Sequence, residues 1–475
     1  MCVHASIRMS KNIFLRNFCH TALPFGRKLA PPVLVKETFS KFNLLPSVES
    51  SISNFGILVP TSAQTLAIPR LLKGESLLLV SQTGKGKTLA YLIPVVDSLL
   101  RSDTEGIFPV AHKPRVLIVV PTRELAVQTL KVVRSVFGSL VSSAAFAPGC
   151  CSFVKEKRLL NSGVDLIVTT PSRLELHINR GGIAFTHMQT LVVDEADTLC
   201  DPIYEKQVAV IVDKLATKKC QCIVVGATRT AAVNSFMQKH LPTVAVAVTS
   251  DAHLLSASLV QEFISIGRRL RTSALTEILQ NSSSLKILIF VNSVRSCNFL
   301  VRFLAEHHLV ENGATAIHGS MPYKIRRANY EKFTRGTARV LVCTNLASRG
   351  IDLGDVGHVI QYEFPDTLAD YLHRAGRTAR AGQTGKVTSL VTAKDSELMR
   401  QVQKSPQPAT QKTHSKKNSK WSPLVNKSTH RLGMKLATKL GSPASRAAAV
   451  VKGKAERALA KEEILRKRRK IFAQR

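Results

Sequence analysis

Short unbroken runs of Val, Ile and Leu recur along the chain: Leu77–Val80, Val116–Val120, Leu166–Thr169, Leu191–Val193 and Cys222–Val225, then Lys286–Val291, Thr315–His318, Val340–Cys343, His358–Tyr362 and Val387–Val391. They do not alternate with polar residues, which predicts strands buried on both faces of a parallel sheet. Intervals of roughly 20–40 residues between them leave room for the crossover helices such sheets need. The pattern predicts an α/β protein of two tandem doubly wound parallel-sheet domains, over residues 37–248 and 259–400. The stretch 249–258 (TSDAHLLSAS) between them reads as a flexible linker.

Charge changes the picture at the two ends. The 475 residues carry 67 Lys+Arg against 32 Asp+Glu, a formal charge of +35, which calls for a polyanionic partner. Residues 401–475 hold 20 of the basic residues and three acids, with few aromatics, and read as a largely disordered phosphate-binding tail. Residues 1–36 hold six basic residues and no acid, and Ile7, Phe14, Leu15 and Phe18 share one helical face with Arg8 and Arg16 off it. That acid-free amphipathic pattern predicts a transit peptide and the mitochondrial matrix. The block Leu465–Lys470 points the other way, to the nucleus or nucleolus. A hydrophobic content of 44% excludes a wholly disordered chain. No apolar run approaches the ~18 residues of a span, so no membrane insertion is expected. Nine scattered cysteines without CxxC pairs exclude a disulfide scaffold and a zinc finger.

The chemistry is concentrated in two places. After Leu77–Val80 comes Ser81-Gln82-Thr83-Gly84-Lys85-Gly86-Lys87-Thr88 and then a helical pattern. Glycines let successive N–H groups turn toward phosphate oxygens, and the helix N-terminus adds its positive end. Lys87 would reach the outer phosphates and the Thr88 hydroxyl would ligate Mg²⁺. Far downstream, Leu191–Val193 leads into Asp194-Glu195-Ala196-Asp197. Carboxylates at the C-terminal end of a parallel strand face the crevice where such sheets bind ligands. Asp194 suits Mg²⁺, and Glu195 is placed to deprotonate a water.

With these residues in this order the chain resembles a DEAD-box RNA helicase of helicase superfamily two, over about residues 39–392. The resemblance implies RecA-like domains, ATP and Mg²⁺ as cofactors, and RNA, single-stranded or duplex, as a sequence-independent partner. Phe39 and Gln64, with Gly56, Pro60 and Thr61, match the adenine-reading motif. Pro121, Thr122, Arg123, Gly149, Thr170, Arg173, Arg326 and Thr344 fall where the family holds RNA, and Tyr323 stands where it has a glutamine. Asp197, Thr228 and Arg349 take the places that couple hydrolysis to strand separation, with Gly226 replacing a serine and Asn345 an aspartate. Asp352 takes a nucleotide-binding place. Arg377 and Arg380, read as one helical turn apart, match the arginine fingers that meet the γ-phosphate.

The implied activity is RNA-stimulated ATP hydrolysis driving local duplex melting by domain closure, with residues 401–475 as an RNA-binding tail. The protein is expected to act as a monomer, on mitochondrial ribosome assembly or RNA processing. Two alternatives stay open on the sequence: an ATP-dependent RNA clamp with little turnover, motivated by Gly226, Tyr323 and Asn345, and a DNA-directed helicase.

Overall fold

The computed structural model describes residues 38–404, apart from 217–219, 253, 257, 268–269, 283–285, 311–312, 346–352, 355 and 381–382. The expected transit peptide, most of the basic tail, Arg349 and Asp352 therefore lie outside the described residues.

Thirteen strands are described, forming two sheets. The first lobe contains β1 (Leu77–Val80), β2 (Val116–Val119), β3 (Ser143–Phe146), β4 (Leu166–Thr169), β5 (Thr190–Asp194), β6 (Gln221–Gly226) and β7 (Ala245–Val248). They pair in the order β3-β4-β2-β5-β6-β1-β7, every pairing parallel. The second lobe contains β8 (Leu259–Ser265), β9 (Ile287–Phe290), β10 (Ala314–Ile317), β11 (Val340–Cys343), β12 (His358–Gln361) and β13 (Gly385–Val391). Their order is β10-β11-β9-β12-β13-β8, again parallel.

The unbroken apolar runs work as expected for strands covered on both sides. Leu77 and Leu79 of β1 enter one core with Ile118, Val192 and Ile223, while Leu78 and Val80 enter the opposite core with Leu117, Val193 and Val224. Period-two geometry sends neighbours to opposite faces, so both faces need apolar cover. In the second lobe Leu288 and Phe290 face one core and Ile287 and Ile289 the other.

Three strands have no counterpart in the sequence reading: β3, β7 and β8, each at the edge of its sheet. Edge strands are only partly covered, so their sequences mix exposed and buried positions, as in Val246 and Val248 of β7. Two further differences concern boundaries. The helix Ser396–Lys404 runs past residue 400 and buries Val402, so the chain stays folded into the first residues assigned to the tail. Between the lobes, Thr249 donates to the Val80 carbonyl, Ala252 is buried in the first lobe and Leu255 in the second. The described linker residues are packed, not a free tether.

Candidate nucleotide and nucleic-acid site

The strand order explains the site. β6 lies between β1 and β5, so the loops after these three strands sit side by side at one sheet edge. They are the phosphate loop after β1, the acidic turn after β5 and Gly226-Ala227-Thr228 after β6. Gly84 and Gly86 take φ values of +80° and +72°, and Gly86 caps the helix Lys87–Thr104. That left-handed backbone turns the loop round an open cradle, as a phosphate site requires. Lys87 is half-buried, and its Nζ donates to the carbonyls of Ser81 (2.8 Å) and Gln82 (3.0 Å). Burial lowers its pKa, against the opposing pull of Asp194.

Thr61 and Gln64 hold this loop from beneath. Thr61 Oγ1 donates to the Lys85 carbonyl at 2.8 Å and Gln64 Nε2 to the Gly86 carbonyl at 3.3 Å, while Gln64 Oε1 accepts from Thr61 N. A side chain at position 86 would meet Gln64 Nε2 at 2.7 Å, so glycine is needed here for space as well as backbone. Phe39, expected as an aromatic wall, packs at the start of the described chain. It is buried against Phe42 in the core and is absent from the lining of the cleft, where Phe55, Ile57 and Val59 stand instead.

Asp194 ends β5. Its Oδ2 accepts from Tyr91 Oη at 2.9 Å and its Oδ1 from Glu195 N at 2.9 Å. Burial, then the neighbouring Glu195, raises its pKa to about 6. Glu195 adopts a left-handed φ of 54°, and its Oε2 is buried without a hydrogen-bond partner. Strain at a non-glycine residue together with an unsatisfied carboxylate marks a working position. The Ser81 hydroxyl is likewise buried and unpartnered. These orphaned groups and the glycine cradle fit a nucleotide. The hydroxyl of Thr88 and the carboxylate of Asp194 are hard oxygen donors that fit Mg²⁺, which takes one or two protein groups and leaves the rest to phosphate and water. When bound, Mg²⁺ neutralises charge on the phosphates.

Asp197 is the structural hub. Its Oδ2 accepts from Ala227 N (3.1 Å), Thr228 N (3.0 Å), Thr228 Oγ1 (3.0 Å) and His373 Nε2 (2.8 Å). Burial alone would raise this carboxyl, but His373, Thr228 and Lys87 outweigh it and hold its pKa well below the usual range. Two of these donors are backbone amides and one is the Thr228 hydroxyl, so Oδ2 is satisfied without a serine at 226, while Oδ1 is buried without a hydrogen-bond partner. His373 thus joins the lobes.

Arg377 and Arg380 both line the same cleft as Lys87 and Glu195, which has a volume of ≈ 680 Å³. The helical reading of their spacing is corrected: the helix Leu368–Ala375 ends before them, with Gly376 as its cap, and Arg380 Nε donates back to the Gly376 carbonyl at 2.8 Å. A turn, not a helix face, presents them. Arg374 of that helix is fully buried and donates to Asn345 Oδ1 (2.6 Å), Asn292 Oδ1 (2.6 Å) and the Glu363 carbonyl (2.7 Å). Asn345 therefore serves as a neutral acceptor for a buried cation.

The expected RNA-facing residues gather at helix N-termini. Thr122 caps Arg123–Phe137 by accepting from Leu125 N, and Thr170 precedes Pro171–Asn179 with its hydroxyl buried and unpartnered. Pro121 is buried beside Thr122, and Thr344 is buried after β11. Arg173 is held by the buried carboxylate of Glu156 at 2.7 Å, which also meets His177 Nε2 at 2.8 Å. Gly149, at φ +75°, lies against Arg123 Nη1. Arg326 of the second lobe pairs with Glu124 of the first at 3.1 Å. The contacts that Tyr91, Glu124 and His373 make are not legible in the sequence, because their partners lie far along the chain.

The fold and cleft define a two-lobed nucleotide-binding protein of the phosphate-loop class. Comparison with known proteins agrees. Residues 61–236 match the DEAD/DEAH box helicase family and residues 271–382 the helicase conserved C-terminal domain. The chain belongs to the DEAD-box helicase family. It is 34% identical to DEAD-box ATP-dependent RNA helicase 39 of Arabidopsis thaliana over 77% of this chain and 60% of that protein. It is also 34% identical to the probable ATP-dependent RNA helicase DDX28 of Mus musculus, over 71% and 66%. The chain thus spans somewhat under two thirds of the length of these relatives. The solved structure of S. cerevisiae Dbp5 bound to RNA and ADP BeF3 is similar, with a TM-score of 0.68, 26% identity, and coverage of 79% of this chain and 94% of that one. Mss116 bound to ssRNA and UDP-BeF, at 23% identity and a TM-score of 0.69, shares the fold.

Proposed function

We propose that the protein is an ATP-dependent RNA helicase that melts or remodels short RNA duplexes by closing its two lobes on nucleotide and RNA. The observation that carries this reading is the shared cleft, in which Lys87, Asp194 and Glu195 of one lobe face Arg377 and Arg380 of the other. Glu195, with a free carboxylate oxygen, orients and deprotonates the attacking water. Lys87 leaves its loop carbonyls for the outer phosphates, and the two arginines stabilise charge spread over the transferring group. Thr88 and Asp194 would hold Mg²⁺. Because the site is complete only when the lobes meet, nucleotide and RNA each favour closure, and each raises affinity for the other. The relative solved with RNA and ADP BeF3 supports RNA as the partner.

The test is ATP hydrolysis with and without single-stranded RNA. Stimulation is expected, with losses of about 10²-fold or more in Lys87→Ala and Glu195→Gln. An unstimulated rate in the unaltered protein favours the RNA clamp, and equal stimulation by DNA favours a DNA-directed enzyme. For its place of action, the acid-free N-terminal 36 residues support mitochondrial ribosome assembly or RNA processing, and the Leu465–Lys470 block supports the nucleolus as second reading. Imaging of a C-terminally tagged full chain, with fractionated ribosomal subunits from depleted cells, decides between them.

A further inference from the structure

Arg123 and Tyr323 stand on opposite lobes, with the guanidinium carbon 3.1 Å from the centre of the phenol ring. Arg123 is buried at this place, its Nη1 donates to the Pro148 carbonyl at 2.9 Å, and its Nε is buried without a hydrogen-bond partner. Gly149 leaves the space that the guanidinium occupies. One residue further on, Glu124 meets Arg326, so neighbours on one lobe engage residues a helical turn apart on the other.

A guanidinium is planar and its N–H donors point outward in that plane. A ring stacked on its face fixes its position without consuming any of them. An amide in the same place would take up a donor by accepting a hydrogen bond. We propose that Tyr323 is a positioning residue that presets Arg123 for an RNA phosphate when the lobes close, leaving the in-plane donors that Pro148 does not take for the phosphate oxygen. This rests on the reading of the protein as an RNA-binding ATPase. Because the stack exists only across closed lobes, its contribution belongs to the nucleotide-dependent part of RNA affinity and not to the open state. The ring is neutral, so it releases no counterions, and the salt dependence of RNA binding stays with Arg123 and Arg326.

The experiment uses the full chain and a short fluorescent oligouridylate, titrated with and without Mg²⁺ and a non-hydrolysable ATP analogue. Nucleotide is expected to tighten RNA binding in the unaltered protein. Tyr323→Phe keeps that tightening within about twofold, because the ring remains. Tyr323→Leu loses roughly 5- to 30-fold of it. RNA affinity without nucleotide, the salt slope and the thermal midpoint stay unchanged in both variants. Tyr323→Leu retaining full tightening, or losing affinity equally with and without nucleotide, overturns the proposal. Absence of any nucleotide effect and of RNA-stimulated hydrolysis in the unaltered protein instead overturns the functional reading, and this inference with it.

Discussion

Nε2 of His373 lies 2.8 Å from Oδ2 of Asp197, so the turn that carries Glu195 is tied to a helix of the opposite lobe. The same oxygen binds the Ala227 and Thr228 amides, which makes it the meeting point of the acidic turn, the loop after β6 and that helix. A hydrogen bond to a charged acceptor contributes about 1.5–3 kcal/mol. His373→Ala is therefore expected to cut the ratio of RNA-stimulated to unstimulated ATP hydrolysis roughly 10- to 100-fold. Steady-state ATPase assays over an RNA titration check this, and an unchanged ratio would show that the contact does not couple the lobes.

Gly149 gives a second, local prediction. Its φ of +75° disfavours any L side chain, and a Cβ there would come 2.5 Å from Arg123 Nη1. Gly149→Ala is expected to displace Arg123 and weaken RNA binding about tenfold. ATP affinity measured without RNA stays as it is, because the phosphate loop is on another strand.

Gly226 is predicted to tolerate what Gly149 does not. The nearest atoms to an added Cβ are the Thr228 carbonyl oxygen at 3.4 Å and Asp197 Cγ at 3.8 Å, ordinary contact distances. Gly226→Ser should leave RNA-stimulated ATPase within about twofold, whereas Thr228→Ala removes a donor to a buried carboxylate and lowers it about tenfold. A large loss in Gly226→Ser would contradict this account of the hub.

Arg374 makes its three hydrogen bonds to neutral oxygens, and burial pushes its pKa down to about 10. Asn345→Asp puts a carboxylate against this buried cation and is expected to stabilise the folded chain by about 1–3 kcal/mol. Urea unfolding of the two proteins at neutral pH measures it; an equal or lower midpoint would show that the cation is already compensated.

His358 supplies the pH dependence. Its Nε2 meets Thr388 Oγ1 at 2.8 Å and its Nδ1 meets Ser282 Oγ at 3.3 Å, with Lys386 and Glu262 nearby. Burial, then Lys386, lowers its pKa to about 4, against Glu262. The unfolded chain binds a proton more readily between that value and about 6.5. Stability is thus fully present above about pH 6.5 and falls by up to about 3 kcal/mol as pH drops toward 4. His358→Asn should flatten that part of the curve of unfolding free energy against pH, and an unchanged slope would assign it to other groups.

The sequence by itself determined whatever is written in contiguous residues. Unbroken apolar runs marked the inner strands, because a strand covered on both faces cannot afford polar positions. The phosphate loop and acidic turn were equally legible, since glycines, a lysine and carboxylates act there within a few residues of one another. Only the tertiary structure decided the rest. Edge strands β3, β7 and β8 escaped because partial cover blurs the pattern, and Phe39 was drawn into the core by burial that no spacing reveals. His373 and Asp197 are 176 residues apart, and Tyr91 and Asp194 are 103 apart. Pairs so distant carry no local signature: they meet because parallel strands bring their loops to one sheet edge and because two lobes close, which is a property of packing and not of sequence order.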